Sequence, residues 1–152
     1  MERIEVATNR KAFRDYEILE RFEAGITLVG SEVKSLRAFK ANLTDSFARI
    51  EENEISLYNM DIASYAQASY LNVEPKRVRR LLLHHKEIQR LKDKVARRGF
   101  TLIPLKLYFN ERGIAKVELA LARGKKFFDR REDIKRREAD LKIRKILKSR
   151  RS

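Results

Sequence analysis

Between residues 103 and 121 the apolar positions alternate with others. Ile103, Leu105, Leu107 and Phe109 are separated by Pro104, Lys106 and Tyr108, and after Asn110-Glu111-Arg112-Gly113 the apolar positions resume at Val117, Leu119 and Leu121. A period of two puts one set of side chains on one face of a strand, and a polar segment ending in glycine reverses the chain, so the pattern predicts a hairpin. A second hairpin is predicted over 46–50 and 54–60, where Phe47, Ala48, Arg49 and Ile50 face Ile55, Ser56, Leu57 and Tyr58 across Glu51-Glu52-Asn53. Residues 16–30 also read as strand from Tyr16, Ile18, Phe22, Ile26 and Val29, with Gly25 as a bulge or bend and Gly30 as the end.

Helical spacing appears twice. Ser31 is the expected N-cap of a short helix over 32–38, where Val33, Leu36 and Arg37 share a face. Ile88, Leu91 and Val95 form an apolar stripe, Lys86, Arg90, Lys92, Lys94, Arg97 and Arg98 occupy the other faces, and Gly99 is the expected stop. Residues 61–75 read as irregular or edge structure, and the segment through Leu81-Leu82-Leu83 fits either a buried strand or the start of a helix. Short antiparallel strands with few helices and one small core predict a mainly β fold, an OB-like antiparallel barrel with flanking helices, because closure removes the edges two hairpins would otherwise expose.

The composition changes after Gly124. Few apolar residues follow, and beyond Ile134 the only large ones are Leu141, Ile143, Ile146 and Leu147, too few to build a core. The expected division is a barrel over 1–123 and a basic tail over 124–152 that is disordered alone and helical when bound.

Charge sharpens this division. The chain carries 36 Lys and Arg against 22 Asp and Glu, a formal net charge of +14. Residues 76–98 hold ten bases and two acids, residues 123–152 hold fourteen and five, and the remainder is slightly acidic with twelve and fifteen. Segregated positive charge of this size calls for a polyanion. A membrane is the weaker choice, because the longest uninterrupted apolar run, 119–122, falls far short of the ~20 residues a spanning helix needs. Met1-Glu2-Arg3-Ile4-Glu5 has no charged flank leading into an apolar segment, so a cytoplasmic protein is expected, and the absence of cysteine excludes thiol chemistry and disulfides.

Catalytic chemistry finds no home in the pattern, and no enzyme and no cofactor are expected. Gly124-Lys125-Lys126 lacks the upstream glycine and the following Ser or Thr of a phosphate loop. His84 and His85 are the only histidines, and adjacent side chains diverge, so no metal site is expected. Glu51 and Glu52 fall in a turn rather than in a cleft that could separate their pKa values. What remains is cations among aromatics, with Tyr16, Phe22, Phe39, Tyr108, Phe127 and Phe128 placed either to pack or to stack on bases.

Several motifs resemble the SmpB, or SsrA-binding protein, family over roughly residues 9–148. They are Asn9-Arg10-Lys11-Ala12, Phe22-Glu23-Ala24-Gly25-Ile26, Ser31-Glu32-Val33-Lys34-Ser35-Leu36-Arg37, Asn42-Leu43-Thr44-Asp45-Ser46-Phe47, Arg80-Leu81-Leu82-Leu83, Leu105-Lys106-Leu107-Tyr108 and Gly124-Lys125-Lys126 with Asp129-Arg130-Arg131. The resemblance implies an OB-like barrel that binds the tRNA-like domain of tmRNA, travels with it and elongation factor Tu to stalled ribosomes, and lays its tail in the vacant mRNA channel near the decoding centre. A monomer is expected. By resemblance Asn9, Glu23, Leu83 and Lys125 lie on the barrel surface that meets tmRNA, and Arg10, Lys11, Lys34, Arg37, Arg80, His84, His85 and Lys126 are further RNA-binding candidates. Asp129, Arg130, Arg131, Lys135, Arg136, Arg137, Ile146 and Leu147 would be the ribosome-binding tail. Phe39 stands where the family usually has glycine, Arg130 where it has lysine, and Ala139 where some members have tryptophan. A constitutive ribosomal or other structural RNA-binding protein is the alternative reading.

Overall fold

The computed structural model describes residues 2–65, 72–97, 99–125 and residue 141. Nine strands and three helices follow in the order β1 (Ile4–Thr8), α1 (Arg10–Asp15), β2 (Tyr16–Ile26), α2 (Gly30–Arg37), β3 (Ala41–Asn42), β4 (Phe47–Glu51), β5 (Glu54–Tyr58), β6 (Asp61–Ile62), β7 (Arg79–Leu82), α3 (His85–Val95), β8 (Phe100–Phe109) and β9 (Ala115–Gly124) among the described residues. The tail over 126–152, apart from residue 141, lies outside them, and with it Lys126 and every candidate from Asp129 to Leu147.

The main sheet is antiparallel and runs β1-β8-β4-β5-β7-β2-β9, and β9 pairs back with β8. That last pairing closes a ring β8-β4-β5-β7-β2-β9, with β1 added beside β8, so the architecture is the OB-like barrel the strand pattern predicts. The seams differ in strength. β2 and β9 pair in register from Tyr16 opposite Gly124 to Gly25 opposite Lys116, whereas β4 meets β8 only at Ala48 and Leu102.

Both predicted hairpins form. The β4–β5 reversal places Glu52 at φ 50 and Asn53 at φ 66, the left-handed pair a tight two-residue turn requires. The β8–β9 reversal uses Gly113 at φ 77. Residues 79–82 resolve as the strand β7, because pairing with both β5 and β2 satisfies their backbone. β2 stops at Ile26, and its bulge lies at Leu19 between Ile18 and Glu20 rather than at Gly25. Gly25 serves close approach instead: a Cβ there would sit 3.2 Å from Leu82 Cβ.

Alternation in β8 and β9 fails to predict which faces are buried, because a bulge at Leu105 flips the parity of β8 and α1 covers the outer face. Leu102, Leu107, Val117, Leu119 and Leu121 point into the barrel with Ile55, Leu57, Leu81 and Leu91. Ile103, Leu105, Ala120 and Ala122 point outward, yet they are buried beneath Ala12 and Phe13 of α1, with Tyr16 and Ile18 beside them. The hairpin is thus covered on both faces, and β1 and α1 were not predicted.

α2 begins at Gly30 after Val29, not at Ser31. The Glu32 carboxylate reaches back to accept from the Val29 N–H at 3.1 Å, and Ser31 is buried within the first turn. At the other end Phe39 N–H donates to Leu36 O at 2.9 Å and Lys40 N–H to Ser35 O at 3.0 Å, the paired bonds of a Schellman stop. Phe39 takes the left-handed position of that stop at φ 59. For an L-residue this costs ~1–2 kcal/mol, and the turn is nonetheless made without glycine. α3 ends at Val95 with Ala96 as its cap, so Gly99, at φ 88, turns the chain into β8 rather than stopping the helix.

Candidate nucleic-acid interface

The candidates among the described residues divide into three groups by the elements that carry them. The first surrounds α1. Asn9 is 3% exposed, so it is not a surface group as the motif reading placed it. Its Oδ1 accepts from the Ala12 N–H at 3.2 Å, capping α1, and its Nδ2 donates to Leu43 O at 3.2 Å and Pro104 O at 3.0 Å. With its amide consumed, Asn9 fixes the helix that carries Arg10 and Lys11, both exposed. Lys11 Nζ meets Asp45 at 2.8 Å, and that hydrogen bond holds the ammonium pKa above its ordinary value. A cleft of about 500 Å³ opens here between Lys11, Asp45, Phe47, Thr101 and Gly124. Exposed Lys125 directly follows Gly124 at this cleft.

Glu23, Leu83 and His84 form the second group, lining another cleft with Gly25, Leu82, Glu87 and Lys116. Glu23 lies seven residues along β2 from Tyr16, roughly 20 Å at ordinary strand rise, so the structure does not join it to Lys125 and Lys11. The Tyr108 hydroxyl donates to the Glu23 carboxylate, and Arg3 covers the Tyr108 ring at 3.5 Å. Burial, then this hydrogen bond, push the Tyr108 phenol well above its usual range, so it remains a donor. Leu82 is 55% exposed while Leu83 packs against the core, and His84 and His85 open α3 on the surface. Arg3 and Lys116 belong to this region and escaped the motif reading, whereas Tyr108 stood within one of the motifs. For Lys116 the signal was its register opposite Gly25.

α2 carries the third group. Lys34 stands over the Tyr65 ring at 5.6 Å and Arg37 over the Phe109 ring at 5.1 Å, each at cation–π distance. Phe109 ends β8 beside the β8–β9 turn, which places α2 at the same end of the barrel as Glu23.

The basic run over 76–98 is not the solvated face its composition suggests. Arg79 has no exposed surface, and with Arg77 it grips the buried Glu32 carboxylate at 2.5 Å. Arg80 pairs with Glu54 at 3.2 Å, and Arg90 and Lys94 share Glu20. Half of that charge is therefore internal or bridged. Among the described residues Lys76, Lys86, Lys92 and Arg97 are left without a carboxylate partner, as are Arg10, Lys34, Arg37, Lys40 and Lys125.

A closed antiparallel barrel with cations at both ends that have no carboxylate partner among the described residues is a scaffold for holding a polyanion. Its particular family follows from comparison. The family model for SmpB protein matches residues 6–149, and the chain belongs to that family. The SsrA-binding protein of Thermosipho melanesiensis is 57% identical over 143 residues, covering 94% of this chain and 97% of its own. That of Carboxydothermus hydrogenoformans is 55% identical over 150 residues, 99% of each chain. A chain in a solved structure of tmRNA–SmpB in the bacterial ribosome superposes with a TM-score of 0.68 at 60% identity, covering 78% of this chain and 83% of that one.

Proposed function

We propose that this protein binds the tRNA-like domain of tmRNA and delivers it, with elongation factor Tu, to ribosomes stalled in the cytoplasm. The observation that carries the reading is end-to-end similarity to SsrA-binding proteins, at 57% identity across 94% of the chain. The physical case agrees. An A-form RNA fold is recognised through backbone and shape, and the unpaired cations of α1, α2 and Lys125 are spread around a rigid body as such recognition needs. The tail, with Arg130, Arg131, Lys135, Arg136 and Arg137, would lie along the empty mRNA channel, where rRNA phosphates favour a cationic helix.

The test is binding of the full chain to a transcript of the tRNA-like domain against random duplex DNA over a salt series. If ~6–10 phosphates are contacted, affinity should fall about 10³- to 10⁵-fold between roughly 50 and 200 mM salt. Equal affinity for the random duplex would sink the assignment.

A further inference from the structure

Phe39 is held where its side chain is least expected. It is 59% exposed, so it leaves most of an aromatic ring in water, and its backbone sits at φ 59, a conformation that favours glycine. The strained backbone opposes folding at this residue, and the exposed ring contributes little burial to offset it among the described residues. Backbone strain of this kind in a bulky residue points to a use for the side chain. The surroundings indicate which use. The Schellman stop projects residue 39 from the C-terminal end of α2, and Lys34, Arg37 and Lys40 on the same knuckle have no carboxylate partner among the described residues. An exposed ring on a knuckle whose cations Lys34, Arg37 and Lys40 have no carboxylate partner among the described residues complements an RNA strand: phosphates for the cations and a base face for the ring. An acidic protein partner would engage the cations too, but the RNA-binding reading and the stacking face every base offers favour a nucleic acid.

We infer that Phe39 is a stacking residue for an unpaired RNA base, whose flanking phosphates are held by Lys34, Arg37 and Lys40. The inference rests on the RNA-binding reading above and adds a contact to it. The ring supplies affinity that depends on aromatic area and not on salt, while the three cations supply the part that salt removes.

The experiment compares the full-length wild type with Phe39→Gly, Phe39→Leu and Phe39→Trp, measuring thermal unfolding and affinity for the tRNA-like domain transcript across a salt series. Phe39→Gly should unfold ~2–4 °C higher, because the strain is gone, yet bind roughly 5- to 100-fold more weakly with an unchanged salt slope. Phe39→Leu should lose affinity with it, and Phe39→Trp should bind as the wild type does. Undiminished RNA affinity in Phe39→Gly or in Phe39→Leu overturns the inference, including the case in which the ring serves a protein partner. A wild type that prefers this transcript no more than random duplex brings down the functional reading itself, and the stacking role with it. If the wild type is selective while Phe39→Gly is equally tight, only the stacking role falls.

Discussion

Arg79 shows how far a single charge can be drawn inward. Its Nε donates to Glu32 at 2.6 Å, and its other nitrogens reach Met60 O at 2.6 Å and Pro75 O at 2.9 Å. The guanidinium thus ties α2, β6's approach and β7 together in a place water does not reach. Replacing Arg79 by Ala should cost about 3–5 kcal/mol in urea unfolding, because Glu32 would be left buried and undercompensated. An effect as small as that of a surface arginine would show the pair to be incidental. Burial alone would raise the Glu32 pKa; hydrogen bonds from Arg77 and the Val29 N–H and the charge of Arg79 outweigh it and hold the carboxyl below its ordinary 4.5. A depressed folded-state value contributes stability above the unfolded pKa and loses it as pH falls through the folded one. The stability gap between wild type and Glu32→Gln should accordingly be full at neutral pH and shrink below about pH 4.5. A gap independent of pH would contradict the ion-pair account.

At the scale of elements, the same residue types serve opposite purposes. Asn9 and Lys11 are neighbours in one motif, yet Asn9 is enclosed and Lys11 exposed. Asn9→Ala removes the cap of α1 and the amide that donates to Pro104 O and, beside Ser46, to Leu43 O, so it should destabilise by about 2–4 kcal/mol and lower the unfolding midpoint. Lys11→Ala breaks only a solvated pair with Asp45 and should leave that midpoint nearly unchanged while weakening RNA binding. Calorimetry of the two variants separates the roles; a stable Asn9→Ala would mean the cap contributes nothing. The two hairpins were legible because alternation and turn residues are local. The site was less so. Sequence counts ten bases over 76–98, but it does not reveal that Arg77 and Arg79 face Glu32, more than forty residues earlier in the chain.

Taken as a whole molecule, the described residues form a closed ring, and the basic run over 126–152 is expected to serve a separate role. Deleting residues 129–152 should leave affinity for the tRNA-like domain nearly intact and abolish tagging of stalled peptides in a reconstituted translation system. Loss of RNA affinity on deletion would reassign the tail to tmRNA. The sequence by itself determined the two hairpins, the α3 stripe, the basic extension and the motifs of the SmpB family, because period, turn chemistry, composition and spacing are properties of neighbouring residues. Only the tertiary structure decided that β9 returns to β8 to close the ring, that α1 covers the outer face of that hairpin, that Asn9 is a cap, and that Glu23 and Lys11 stand at different ends of the barrel. Those outcomes depend on which distant groups a side chain meets once the chain has collapsed. Burial and pairing are set by that encounter, and no local pattern encodes it.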